Sequence, residues 1–118
     1  MKDDWGQDAS VRAWQARVAA LVAEHDLATG AHARLVDLVS EVGELAKDLL
    51  EASAYGRVPF RPGDTWAEEM GDVFFSLLCL ANGTGVDLET SLATALQKYE
   101  RRLAARGTPG SGKHLKLE

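Results

Sequence analysis

The chain has 118 residues, a formal net charge of −5, 46% hydrophobic and 26% charged residues, which fits one small globular domain. The acidic balance excludes broad binding to a nucleic-acid polymer, whose phosphates require a basic surface. A free nucleotide stays possible, because a metal ion inverts the local charge.

The single cysteine, Cys79, excludes an intrachain disulfide, and its place in an apolar helical run marks it as a small buried hydrophobe. No charged start followed by an apolar segment and a small-residue cleavage site is found at the N-terminus. The longest apolar run, Leu77 to Ala81, is too short to span a bilayer. The chain reads as soluble, cytoplasmic and free of membrane.

Residues Met1 to Gln7 are polar apart from Trp5 and form a loose lead-in. Asp8 or Ser10 can cap a first helix, along which Val11, Trp14, Val18, Leu21, Val22 and His25 recur at helical spacing. Thr29-Gly30 is expected to end it, with glycine supplying a left-handed cap. A second helix is predicted from about Ala31 to Ala54. Its apolar stripe is Leu35, Leu38, Val39, Val42, Leu45, Leu49 and Leu50, beside an acidic stripe of Asp37, Glu41, Glu44, Asp48 and Glu51. Tyr55-Gly56 opens a loop with Pro59, Pro62 and Gly63, in which Arg57 and Arg61 flank Phe60.

Asp64 or Thr65 starts a third helix, with Glu68 or Glu69 placed to complete a capping box. Past Asp72 this helix is apolar nearly all round, from Val73 to Ala81, which predicts burial on every side. Asn82-Gly83-Thr84-Gly85 closes it. Asp87 caps a fourth helix that runs to about Arg106, with Leu88, Leu92, Leu96, Tyr99 and Leu103 as its apolar face. The sequence thus predicts one all-α domain over residues 1–107 and a disordered tail over 108–118. Its four helices form a bundle. Neighbours that each offer one stripe cannot cover the third helix, so homodimerisation, or a dimer of dimers, is expected to complete it.

Chemistry concentrates between Ser40 and Asp72. Glu41 and Glu44 lie three apart, as do Glu69 and Asp72, and that spacing puts each pair on one helix face. Two such helices side by side bring four carboxylates together, which requires a compensating cation. Mg²⁺ takes oxygen ligands of this kind and bridges to substrate phosphates. Gly43 and Gly71 each precede the second acid of a pair, and glycine inside a helix suggests close approach by backbone or ligand. Asp72 lies beyond the reach of the helix dipole, at the start of a run expected to be buried, so a cation answers it better. Lys98 with Arg101 or Arg102 is the best source of cations for phosphate, followed by Arg57 and Arg61. His25 and His32 have no metal-binding partner spacing.

The runs Glu41-Val-Gly-Glu44-Leu-Ala-Lys47, Glu68-Glu69-Met-Gly-Asp72-Val-Phe-Phe, Gly85-Val-Asp87-Leu-Glu and Lys98-Tyr-Glu-Arg-Arg102 resemble the MazG-like nucleoside triphosphate pyrophosphohydrolases in order and placement. The resemblance covers roughly Leu35 to Leu103. The family pattern is Glu-Glu-x-x-Glu followed by Glu-x-x-Asp, and here Ser40 stands at its first position. The resemblance implies Mg²⁺ ligands at Glu41, Glu44, Glu69 and Asp72, with Mn²⁺ able to substitute. It also implies an all-α fold, a homodimer or tetramer, and hydrolysis of nucleoside triphosphates, dNTPs or non-standard NTPs, to monophosphate and pyrophosphate. Such an enzyme serves nucleotide pool sanitation. Lys98 and an arginine would stabilise phosphate charge, and Glu41 or Glu44 would accept the water proton. Two other readings compete. One is a pyrophosphohydrolase of different substrate, of the dUTP/dCTP type or acting on phosphoribosyl-ATP. The other is a helical dimerisation module without catalysis. A di-iron bundle would need Glu-x-x-His pairs that the chain lacks.

Overall fold

A computed structural model describes residues 10–111. Among these it contains four α-helices and no strand: α1 (Val11–Glu24), α2 (Ala31–Ala52), α3 (Trp66–Gly83) and α4 (Leu88–Arg106). The predicted lead-in Met1 to Gln7, the Asp8 cap and the part of the expected tail from 112 onward lie outside the described residues.

Short-range capping chemistry accounts for two of the helix starts. Ser10 has extended backbone and its hydroxyl accepts from the Ala13 amide at 3.0 Å. Asp87 accepts from the Glu89 amide at 3.1 Å and from the Thr90 hydroxyl at 3.1 Å. Each bond satisfies a donor that the first helical turn leaves without an internal partner.

Two other expectations are corrected. α1 ends at Glu24, and the left-handed residue in the reversal is Asp26, at φ 56°, not Gly30. Gly30 is extended (φ −76°, ψ 167°) and sits at the N-cap of α2. The reversal is held from the other side, where Arg34 donates to the Leu27 carbonyl at 2.6 Å. At α3, Thr65 has helical backbone and makes no side-chain capping bond, so the capping box does not form.

The chain divides into two compact units, Met1–Val86 and Asp87–Glu118. In the first, α3 packs against both α1 and α2. Its buried apolar residues are Leu78, Cys79 and Ala81. Burial pushes the Cys79 thiol pKa up, with Asp37 adding to the rise and Arg34 opposing it, which keeps the thiol protonated and unreactive.

An amide pair of buried Gln15 and half-buried Asn82 ties α1 to the end of α3. The Gln15 amide donates to Asn82 Oδ1 at 3.0 Å and to the Val86 carbonyl at 2.9 Å. Asn82 Nδ2 returns a bond to the Gln15 carbonyl at 3.0 Å. Polar side chains are tolerated this deep only when their hydrogen bonds are made.

The expected burial of α3 on every side is not met within the single chain. Leu78 retains only 3% of its surface, yet Met70, Phe74 and Phe75 are exposed. α2 leaves more: Leu35 is 50% exposed, Val36 66% and Val39 63%. No described helix is long and apolar enough to cross a membrane.

Replacing Gln15 with alanine would strand the Asn82 carboxamide oxygen and the Val86 carbonyl in a half-buried setting. The expected loss is about 1–3 kcal/mol, read as a lower thermal midpoint with the helical circular dichroism signal retained. Gln15→Ala at wild-type stability would show the amide pair to be incidental.

Candidate functional site

The second helix delivers its acids by simple periodicity. Glu41, Glu44 and Asp48 rise along α2 at spacings of three and four, with Glu41 and Asp48 half-buried and Glu44 exposed. Glu69 and Asp72 occupy the first turns of α3, and α2 and α3 are packed together. An open hollow of about 220 Å³ lies between them, lined by Glu44, Lys47, Asp48, Glu51 and Glu69.

Glu69 is the focus of this arrangement. Its Oε1 is buried and has no hydrogen-bond partner. Burial is the largest cause that raises its pKa above the ordinary 4.5, followed by the hydrogen bond and charge of the Asp48 side chain, then the charges of Glu44 and Asp72. Each cause has the same sign. A carboxylate desolvated among like charges is disfavoured, and a cation placed among them would offset these effects.

Two of the other predicted ligands, Glu44 and Asp72, therefore lie within electrostatic reach of Glu69. Glu41, one turn before Glu44, is not among the groups that act on Glu69. Among the described residues no group of three or more His, Cys, Asp or Glu stands close enough together to hold a metal ion. The donor set is nonetheless the one a hard divalent cation takes, since it consists of carboxylate oxygens alone.

The structure shifts emphasis in three places. Asp72 is exposed, so the argument that its burial demands a cation passes to Glu69. A Cβ added at Gly43 or Gly71 would meet no atom within 4 Å, so nothing in this chain requires glycine there. Asp48 had appeared only as one member of the acidic stripe, yet of the neighbouring side chains it acts most strongly on Glu69. Its position four residues after Glu44 was the available signal.

The predicted cations lie on other elements. Arg57 and Arg61 are exposed in the segment between α2 and α3. That segment also carries Ala54 and Tyr55 in left-handed backbone (φ 49° and 59°), and an edge-on pair of Phe60 and Trp66 with ring centres 4.8 Å apart. In the second unit, Lys98 and Arg102 lie four apart on α4 and are half-buried, whereas Arg101, three after Lys98, is exposed. Lys98 Nζ lies 4.9 Å from the centre of the Tyr99 ring, a cation–π contact. Arg106, which follows Arg102 by one turn on the same face, was not singled out from the sequence.

Comparison with known proteins gives two likenesses. The MazG nucleotide pyrophosphohydrolase domain matches residues 30–106, which reach from the start of α2 to the end of α4. The uncharacterized protein YpjD of Bacillus subtilis (strain 168) is 34% identical over 79 residues, covering 64% of this chain and 69% of that protein. No solved structure matches.

The raised pKa of Glu69 fixes the sign of a pH effect. Because the fold favours the protonated acid, the stabilising contribution is complete below about pH 4.5 and is lost as pH rises through the raised value. Glu69→Gln is therefore expected to raise the thermal midpoint of the metal-free protein at about pH 7.5 and to change it little near pH 4. The same substitution should weaken stabilisation by Mg²⁺. A lower metal-free midpoint at neutral pH would mean that the Glu69 charge is already compensated within the chain.

Proposed function

Because the chain belongs to the MazG nucleotide pyrophosphohydrolase family, we propose that it hydrolyses nucleoside triphosphates, dNTPs or non-standard NTPs, to the monophosphate and pyrophosphate in the presence of Mg²⁺. The observation that carries this reading is the partnerless, buried Glu69 oxygen beside Asp48, Glu44 and Asp72. Glu41, Glu44, Glu69 and Asp72 would hold the cation. When bound, a divalent ion neutralises phosphate charge and increases the electrophilicity of phosphorus.

The remaining roles fall to side chains of this chain. Lys98 and Arg102 are the proposed partners of phosphate oxygens, with the Arg102 guanidinium able to give two parallel bonds. Arg57 and Arg61 are further candidates, and Arg101 is a weaker one on account of its exposure. Glu41 or Glu44 would take the proton as the oxygen of water bonds to phosphorus and the anhydride bond breaks. Pyrophosphate leaves with the electron pair of that bond if the α-phosphorus is attacked; attack at the β-phosphorus gives the same products. Substrates of this kind place the protein in the cytoplasm, in sanitation of the nucleotide pool.

A second copy of the chain is part of this reading. Leu35, Val36 and Val39 on α2 and Met70 and Phe74 on α3 are all exposed in the single chain. Fully burying one such side chain is worth about 1.5–3 kcal/mol, and a homodimer, or a tetramer built from two, would collect several. Val39→Asp is expected to shift light scattering toward the monomer mass while leaving helical content intact. An unchanged mass would place the interface elsewhere.

The activity is tested by following pyrophosphate release over standard and modified NTPs and dNTPs, first with Mg²⁺ and then with EDTA. The expected result is equal yields of monophosphate and pyrophosphate, abolished by EDTA. Replacing even an outer-shell partner of a metal commonly costs 10–100-fold, so Glu44→Gln or Asp72→Asn should reduce the rate by more than about 100-fold. No release from any nucleotide, in a folded protein whose midpoint Mg²⁺ does not raise, would assign the chain to the non-catalytic dimerisation reading.

A further inference from the structure

The basic face of α4 continues beyond the two residues assigned to phosphate. Lys98, Arg102 and Arg106 recur every four residues, so they stand one above another on the helix. The chain following α4 turns back onto this stripe. Gly107 takes left-handed backbone at φ 77° and closes the helix through its amide bond to the Leu103 carbonyl. The Gly110 amide then donates to the Thr108 hydroxyl at 3.3 Å.

This turn presents three successive carbonyls to the two guanidinium groups. Arg102 Nη1 donates to the Pro109 carbonyl at 3.0 Å. Arg106 donates from Nη2 to the Gly110 carbonyl at 3.1 Å and from Nη1 to the Ser111 carbonyl at 3.1 Å. A short row of acceptor oxygens facing a pair of arginines is the arrangement that a pyrophosphate or triphosphate chain offers. Backbone carbonyls are neutral acceptors, whereas phosphate oxygens are charged and pair with a guanidinium fork through parallel bonds that add a full ion-pair attraction. The turn is thus a weak occupant that a polyphosphate can replace.

We propose that the turn Thr108–Ser111 is a self-inhibitory strap, which competes with the polyphosphate moiety of nucleotide or product pyrophosphate for Arg102 and Arg106. The strap holds the guanidinium groups oriented and hydrogen-bonded when no anion is bound, and it yields them when one arrives. The inference rests on the reading that Arg102 meets phosphate, and it adds Arg106 and the competing segment.

The test is calorimetric titration of inorganic pyrophosphate into the full-length protein without divalent metal. Thr108→Ala with Pro109→Gly removes the turn's closing bond and its stiffest residue. Loosening a segment in this way is worth about a twofold to fivefold change in an equilibrium, so pyrophosphate should bind about twofold to fivefold tighter. Adding Arg106→Gln to the loosened protein should abolish that gain. Affinity equal to wild type in the loosened protein overturns the strap, and so does a gain that survives without Arg106. Assaying nucleotide hydrolysis on the same proteins separates the two claims. Active enzyme with no change in pyrophosphate affinity rejects the strap alone. A gain in affinity without any hydrolysis keeps the strap and rejects the activity.

Discussion

A carboxylate oxygen buried beside other carboxylates is an unfavourable arrangement for a fold to carry, and half-buried Glu69 places one such oxygen between α2 and α3. Burial and the negative side chains of Asp48, Glu44 and Asp72 all act on it in one direction. Without a cation these neighbours raise the pKa of Glu69 and disfavour its charged form. With one, the same side chains become a set of oxygen donors. Much of the remaining structure serves this juxtaposition. The packing of α3 on α2 brings the acids together, and the Gln15–Asn82 amide pair fixes α3 against α1.

The apolar surface makes a second demand on the fold. In this chain of 118 residues, the buried apolar residues of the described segment are Leu78, Cys79 and Ala81, while valines and leucines along α2 remain open. Small domains bury a modest fraction of their surface, and contact with a partner commonly supplies what a single core lacks. The acidic hollow and the open apolar residues both involve α2, where acidic and apolar stripes run at the same helical period.

Much of this was legible in the residues. Helix starts at Ser10 and Asp87 depend on a side chain and an amide two or three residues away, and so could be read locally. The spacing of Glu41 and Glu44, and of Glu69 and Asp72, follows from helical geometry alone. What required three dimensions was the register between helices. Periodicity gives the face of each helix and leaves open which turn of α2 meets which turn of α3, so the influence of Asp48 on Glu69 was not visible. The reversal before α2 misled for a related reason. Glycine is the usual left-handed residue, but the hydrogen bonds around Leu27 place that conformation at Asp26 and leave Gly30 extended. The strap after Gly107 was hidden because carbonyl acceptors belong to every residue and leave no mark in a sequence.

The claim on which the account depends is that these carboxylates hold a divalent cation in preference to a proton. The most direct measurement is the electron paramagnetic resonance signal of free Mn²⁺, titrated into the metal-free protein and then competed with Mg²⁺. Saturable loss of the free Mn²⁺ signal is expected at neutral pH, with recovery when Mg²⁺ is added and little loss in Glu69→Gln. Mn²⁺ that stays free with the wild-type protein, or that binds Glu69→Gln equally well, would contradict it.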